Sequence, residues 1–135
     1  MESSLLSTHQ MPLYPGSGGR NERGAHGQML NIPLETGTGS VEMRAAWAHR
    51  VMPMLEREAP ELIIISAGFD AHERDPLAGL HWQTEDFAWI TREICQIAQK
   101  VCAGRVVSTL EGGYDLEALG EACAAHVQEL MEHAT

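Results

Sequence analysis

Hydrophobic residues recur at helical spacing in three stretches of the chain. From Ser40 to Leu55 the apolar positions lie three to four residues apart, which predicts a helix capped by Ser40 and kinked or broken at Pro53. Two more stripes of this kind predict helices capped by Thr84 and Asp115. The second half of the chain is therefore expected to be rich in amphipathic helices.

Two apolar, β-branched runs separate these helices. Leu62–Ile65 is continuous rather than alternating, which predicts a strand covered on both faces, and Arg105–Leu110 predicts the next strand. Such alternation of strand and helix is typical of an α/β fold with a parallel sheet. Residues 1–39 are instead rich in Gly and Pro, and only Ser4–Thr8 and Leu30–Leu34 could form short strands there.

Composition narrows the possible partners and compartments. The 135 residues include 9 Lys and Arg against 19 Asp and Glu, and the formal charge of −10 argues against a nucleic-acid partner. No apolar run is long enough to span a bilayer, and the first residues lack the features of a signal peptide. The 3 cysteines form no Cys-x-x-Cys pair, so we expect reduced thiols and a cytoplasmic protein.

Polar residues follow both predicted strands at the sheet edge where parallel α/β proteins bind ligands. After the first strand, Asp70 and His72 have the spacing of a metal-ligand pair, although Asp75-Pro76 predicts a turn that Asp70 could simply cap. After the second strand, Gly112 and Gly113 precede Tyr114. A phenol there could donate to an oxyanion, or could be a core tyrosine after a flexible turn.

Five strings in these regions resemble the zinc-dependent histone deacetylase superfamily, and most of all its class II and bacterial branch, which includes acetylpolyamine amidohydrolases. In chain order they are Ser7-Thr8-His9-Gln10, Tyr14-Pro15-Gly16-Ser17-Gly18, Ser66-Ala67-Gly68-Phe69-Asp70-Ala71-His72, Asp75-Pro76-Leu77 and Leu110-Glu111-Gly112-Gly113-Tyr114-Asp115-Leu116. Their order and approximate spacing also agree with that family.

The resemblance implies a three-layer arginase/deacetylase α/β fold and a hydrolase that removes acetyl groups from acyl-lysine or acetylpolyamine amides. It makes Asp70 a zinc ligand and Tyr114 the catalytic phenol, and it leaves His72 out of the metal site. It also places Tyr14, Leu77, Gly112 and Gly113 in the substrate channel, and it places Ser7 and Thr8 at a structural potassium ion.

The likeness covers only the C-terminal portion of the family domain, with residues 1–39 as a loop-rich channel rim and 40–135 as alternating helices and strands. No tandem His-His base and no second suitable Asp-x-His occur in the sequence. Because a catalytic zinc needs three protein ligands, we expect the isolated chain to be catalytically incomplete.

Three functions stay open at this point. The chain could be an inactive hydrolase fragment, a hydrolase completed by oligomerisation or by a partner chain, or a non-enzymatic interaction module. We also expect an apolar sheet surface to promote self-association or pairing with a separate N-terminal half.

Overall fold

A computed structural model describes residues 3–134 as an α/β structure with parallel strands. In chain order, the elements are β1 (Leu5–Gln10), β2 (Met29–Leu34), α1 (Ser40–Ala46), a π-helical segment (Trp47–Val51), α2 (Met52–Glu58), β3 (Ile63–Ala67), α3 (Thr84–Cys102), β4 (Val106–Leu110) and α4 (Leu116–Glu132). The fold class expected from the sequence is thus confirmed. None of the helices within residues 3–134 has the length and apolar character needed to cross a lipid bilayer.

The strands form two separate parallel pairs, β1 with β2 and β3 with β4. In the second pair the register runs from Ile63 opposite Val106 to Ala67 opposite Leu110. Because these strands are parallel neighbours, their carboxyl ends lie side by side. The loops that follow β3 and β4 therefore start at the same edge of the sheet.

The first helix differs from the prediction at its cap and at its proline. Gly39, not Ser40, is the N-cap residue, and the Ser40 hydroxyl instead donates to the buried Asp86 carboxylate on α3. The kink expected at Pro53 takes the form of the π-helical segment immediately before α2. Proline cannot donate a backbone hydrogen bond, and its ring crowds the preceding turn, so wider winding there is the physical response.

The two long helices start near their predicted caps. Asp115 caps α4 as predicted, since its side chain accepts a hydrogen bond from the Ala118 N–H at 2.8 Å. In α3 the N-cap is Gln83, one residue before Thr84, and Asp86 closes the first turn by accepting from the Gln83 N–H. The two helices pack against each other.

The core lies on one face of the β3–β4 pair. Ile63 and Phe69 are buried there with apolar residues of α3. The opposite face is open, with Ile64 65% and Val107 54% exposed. The prediction that Leu62–Ile65 is covered on both faces is therefore wrong for the described residues, because only one helical layer packs on this strand pair.

Candidate active site at the ends of β3 and β4

Backbone hydrogen bonds connect the two loops that follow β3 and β4. The Phe69 N–H donates to the Gly112 carbonyl at 2.8 Å, and the Glu111 N–H donates to the Ala67 carbonyl at 2.9 Å. These bonds extend the strand pairing beyond the ladder. The predicted metal ligand and the predicted phenol thus belong to two loops that are in direct contact.

The Asp70 carboxylate occupies a space that two glycines leave open. A Cβ built on Gly112 would lie 2.8 Å from Cγ and Oδ2 of Asp70, and one built on Gly68 would lie 2.9 Å from Oδ1. Burial raises the pKa of the Asp70 carboxyl above its usual value, and the nearby charge of Asp75 raises it further, against a lowering by the backbone N–H of Asp70 itself. The carboxylate is therefore held in a place that disfavours its charge, as is common at functional sites.

The loop that carries Tyr114 packs closely against its neighbours at Gly113. Gly113 has a φ of +139° and lies so close to Leu119 and Phe69 that a Cβ would come within 2.9 Å and 3.1 Å of their side chains. The Tyr114 side chain is 54% exposed, so this residue is not the core tyrosine of the alternative interpretation. Tyr114 is thus accessible to solvent in the loop that follows β4.

Asp75 was not predicted to be part of the site, yet it connects the two loops. Its Oδ1 accepts from the N–H groups of Leu77 and Ala78 at 2.9 and 3.2 Å, which forms a side-chain-capped turn. Its Oδ2 accepts from the Tyr114 N–H at 2.8 Å. The turn at Asp75-Pro76 was predicted from the sequence, whereas the bond to Tyr114 joins residues 39 positions apart and has no local signal.

The predicted channel residues lie on the surface. Leu77, on the turn capped by Asp75, is 65% exposed, and Tyr14, in the loop after β1, is 95% exposed. Leu77 is thus tied to the Tyr114 loop, while the side chain of Tyr14 packs against almost nothing in the described chain. The channel roles of both residues, and those of Gly112 and Gly113, stay predictions.

The side chains of Ser7 and Thr8, the residues predicted to lie at a potassium site, take part in internal hydrogen bonds. The Ser7 Oγ pairs with His9 Nδ1 at 2.9 Å, and the Thr8 Oγ1 accepts from the Trp47 indole N–H at 3.1 Å. Successive side chains of a strand point to opposite faces, so these two oxygens do not converge. The potassium site stays a prediction.

His72 is buried and both of its ring nitrogens have partners. Nδ1 accepts from the Arg74 N–H at 3.2 Å, so the ring proton lies on Nε2 and is donated to Thr84 Oγ1 at 3.3 Å. The ring also stacks on Phe87. This residue serves the packing between the β3 loop and α3, in agreement with its exclusion from the predicted metal site.

Within residues 3–134 no group of three or more His, Cys, Asp or Glu side chains could hold a metal ion. A catalytic zinc has three protein ligands and one open position. The described residues, taken alone, do not fit such an ion, because no three side chains of these types converge at the sheet edge. Zinc ligation by Asp70 therefore stays a prediction.

Comparisons with known proteins show which family the chain resembles. The Histone deacetylase domain family matches residues 2–130. "Histone deacetylase 10, chloroplastic" of Oryza sativa subsp. japonica is 43% identical over 123 residues, which are 89% of this chain and 28% of the rice protein. "Polyamine deacetylase HDAC10" of Homo sapiens is 38% identical over 106 residues, which are 78% of this chain and 15% of the human protein.

The fold likeness extends over almost the whole chain. The crystal structure of the HDA15 HD domain superposes with a TM-score of 0.84 at 30% identity, and the match covers 94% of this chain and 37% of that one. The chain belongs to the histone deacetylase family and has part of the histone deacetylase fold. It spans well under half the length of these relatives.

Proposed function

We propose that this chain forms part of a zinc-dependent amidohydrolase that removes acetyl groups from acetyl-lysine or acetylpolyamine amides. In this proposal Asp70 supplies one zinc ligand and Tyr114 supplies the phenol that donates to the oxyanion. The other zinc ligands and the His base come from a further polypeptide segment. The proposed setting is the cytoplasm, where the free cysteines stay reduced.

The observation that carries the proposal is the contact between the Asp70 carboxylate and Gly112. It places a carboxylate of raised pKa at the base of the loop that presents an exposed phenol. A carboxylate that burial disfavours as an anion gains from a nearby cation, and a metal ion supplies that charge. In a completed site, zinc held in part by Asp70 would polarise the amide carbonyl and would lower the pKa of a water molecule.

The residues of this chain have separate roles in that site. Asp70 places negative charge where a metal cation would sit, and the glycines at positions 68 and 112 keep side chains away from it. Tyr114 donates its O–H to the oxygen of the tetrahedral species as negative charge develops there. The exposed Leu77, whose turn is bonded through Asp75 to the Tyr114 backbone, offers an apolar surface for the methylene groups of an acyl-lysine or polyamine chain.

A cationic substrate suits both the charge of the chain and the names of its relatives. The formal charge of −10 favours the approach of basic peptides and of polyamines. The rice relative is named a histone deacetylase and the human one a polyamine deacetylase. We therefore propose both substrate types and separate them by assay.

The open face of the β3–β4 pair supports completion of the site by more polypeptide. Ile64 and Val107 are both more than half exposed on this face. Apolar sheet surface of this kind is normally covered by another layer. We propose that the segment carrying the missing ligands covers it, either from another region of the same polypeptide or from a partner chain.

A domain exchange tests the proposal. In the HDA15 HD domain, the segment that superposes on residues 3–134 is replaced by this chain. The purified chimera is loaded with zinc and assayed on an acetyl-lysine peptide and on an N-acetylated polyamine. We expect turnover of at least one substrate, and a loss of about a hundredfold to a thousandfold in Tyr114→Phe.

Asp115→Asn is the matched control, because it changes the next residue and Asn caps a helix as well as Asp does. A folded chimera that binds zinc but turns over neither substrate would contradict the proposal. So would full activity in the Tyr114→Phe variant. In either case the interaction-module alternative gains, and the open face of β3–β4 becomes the surface to test.

A further inference from the structure

Asp75 is a buried carboxylate with three backbone donors and no role in the reaction proposed above. It is only 7% exposed. Oδ1 binds the N–H groups of Leu77 and Ala78, and Oδ2 binds the N–H of Tyr114. A carboxylate that accepts several N–H bonds forms strong, charge-assisted hydrogen bonds. This side chain therefore joins two loops that approach the site from different strands.

We propose that Asp75 is the positioning residue that sets the distance between the Leu77 turn and the Tyr114 backbone. The inference rests on the proposed function, in which Tyr114 donates to the substrate and Leu77 lines its path. Among residues 3–134, Asp75 is the side chain whose hydrogen bonds join this turn to the Tyr114 backbone. If Asp75 is altered, the Tyr114 phenol and the Leu77 turn should move independently of each other.

The two-sided geometry makes Asp75→Asn a sharp test. Asn has the same shape as Asp, but one of its two terminal atoms is an N–H₂ group that donates and cannot accept. Either the Leu77 and Ala78 amides or the Tyr114 amide would then face a donor. The variant keeps the volume of the side chain but loses either the hydrogen bonds to Leu77 and Ala78 or the hydrogen bond to Tyr114.

The experiment uses ¹⁵N-labelled full-length chain and measures amide hydrogen exchange by NMR. In Asp75→Asn we expect exchange about tenfold to hundredfold faster at Tyr114, or at Leu77 and Ala78, with unchanged rates at the β3–β4 ladder amides of Ile63 and Ile65. Asp115→Asn, the matched control, should leave the Tyr114 amide as in the wild type. A purely global loss of stability would instead speed all of these amides together and would overturn the proposal.

A second readout follows the phenol itself. The chain has 2 tyrosines, so 3-fluorotyrosine labelling gives one ¹⁹F signal from Tyr114 and one from the highly exposed Tyr14, which serves as an internal reference. We expect the Tyr114 signal to narrow and move toward that of Tyr14 in Asp75→Asn. An unchanged Tyr114 signal in a folded variant would overturn the positioning role.

If Asp75→Asn does not fold, the wild-type chain still decides the question. A Tyr114 amide that exchanges as fast as unstructured backbone in the folded wild type overturns the proposal, and a protected one supports it. None of these measurements needs turnover. The chimera could be inactive while Asp75→Asn still speeds exchange at the Tyr114 amide or at the Leu77 and Ala78 amides. That result would count against the proposed function and not against the connection between the loops.

Discussion

The carboxylate of Asp70 lies where a side chain at position 112 would have to be. A Cβ on Gly112 would come within 2.8 Å of Cγ of Asp70, well inside van der Waals contact. No left-handed backbone explains this glycine, since its φ lies outside that region. The requirement for glycine is the space that the carboxylate fills, so position 112 controls where the predicted metal ligand lies.

Gly112→Ala should therefore move Asp70 while changing stability little. Asp70 can rotate toward solvent, so we expect the free energy of unfolding to change by less than about 1.5 kcal/mol. Activity of the chimera should fall about a hundredfold, because a displacement near 1 Å at a reacting centre has that effect. Urea unfolding and the deacetylation assay provide the two measurements.

Gly120 is the matched control for this substitution. It lies on an exposed part of α4 and nothing lies within 4 Å of a Cβ built there. Gly120→Ala should raise the free energy of unfolding by about 0.5–1 kcal/mol and leave activity unchanged. Equal activity in the two alanine variants would show that the contact between Gly112 and Asp70 has no part in the site.

Asp70→Asn should stabilise the isolated chain at neutral pH. Burial raises the pKa of the carboxyl in the folded state above the ordinary value of 3.8, so the folded chain binds a proton more readily than the unfolded chain does. The charged form thus destabilises the fold at pH values above both pKa values. The variant should have the higher free energy of unfolding at pH 7, and its advantage should fade as the pH drops through the folded-state pKa and vanish below 3.8.

Unfolding of both proteins across this pH range checks the sign. A variant that is less stable than the wild type at pH 7 would show that Asp70 supports the fold rather than the chemistry. Glu85→Gln, an exposed change in the first turn of α3, tests whether the loss of any one negative charge has the same effect.

His126 should make the chain less stable in mild acid. Its ring is buried between Thr91 Oγ1, 2.7 Å from Nδ1, and Ser108 Oγ, 2.8 Å from Nε2, and burial lowers its pKa below 6.5. Because the unfolded chain takes up the proton first, this contribution to stability is complete above pH 6.5 and is lost as the pH falls through the folded-state pKa.

Thermal unfolding between pH 5 and 7 tests this dependence. His126→Gln keeps a polar side chain but cannot titrate there, so its melting temperature should depend less on pH than that of the wild type. His26→Gln, at an exposed position, should keep the wild-type slope. Identical slopes in all three proteins would exclude His126 as the group responsible.

The sequence predicted the parts of the fold that depend on local patterns. The strands β3 and β4, the helices α3 and α4 and the Asp115 cap follow from apolar spacing and from residues within one turn of each other. The π-helical segment was predicted only as a kink, because periodicity does not distinguish a wide turn from a bend. The exposure of Ile64 was missed. A continuous apolar run indicates that a strand is covered on both faces in a complete sheet. It does not indicate whether both covering layers are present among the described residues.

The site was predictable to a similar degree. Asp70 and Tyr114 were singled out because each follows a strand, and the structure brings their loops into contact as the parallel pairing of β3 and β4 requires. Asp75 was seen only as part of a turn. Its second carboxylate oxygen reaches a residue on another loop, and a contact over that separation depends on the packing of both loops rather than on any local pattern.

Metal content and turnover, measured together on two variants of the chimera, test the central claim most directly. The account predicts that Asp70→Asn lowers bound zinc, determined by atomic emission, from about one per molecule to near zero and abolishes turnover. Tyr114→Phe should keep the zinc and still lose turnover. Zinc retained in Asp70→Asn, or turnover retained in Tyr114→Phe, would contradict the assignment of these two residues to one hydrolytic site.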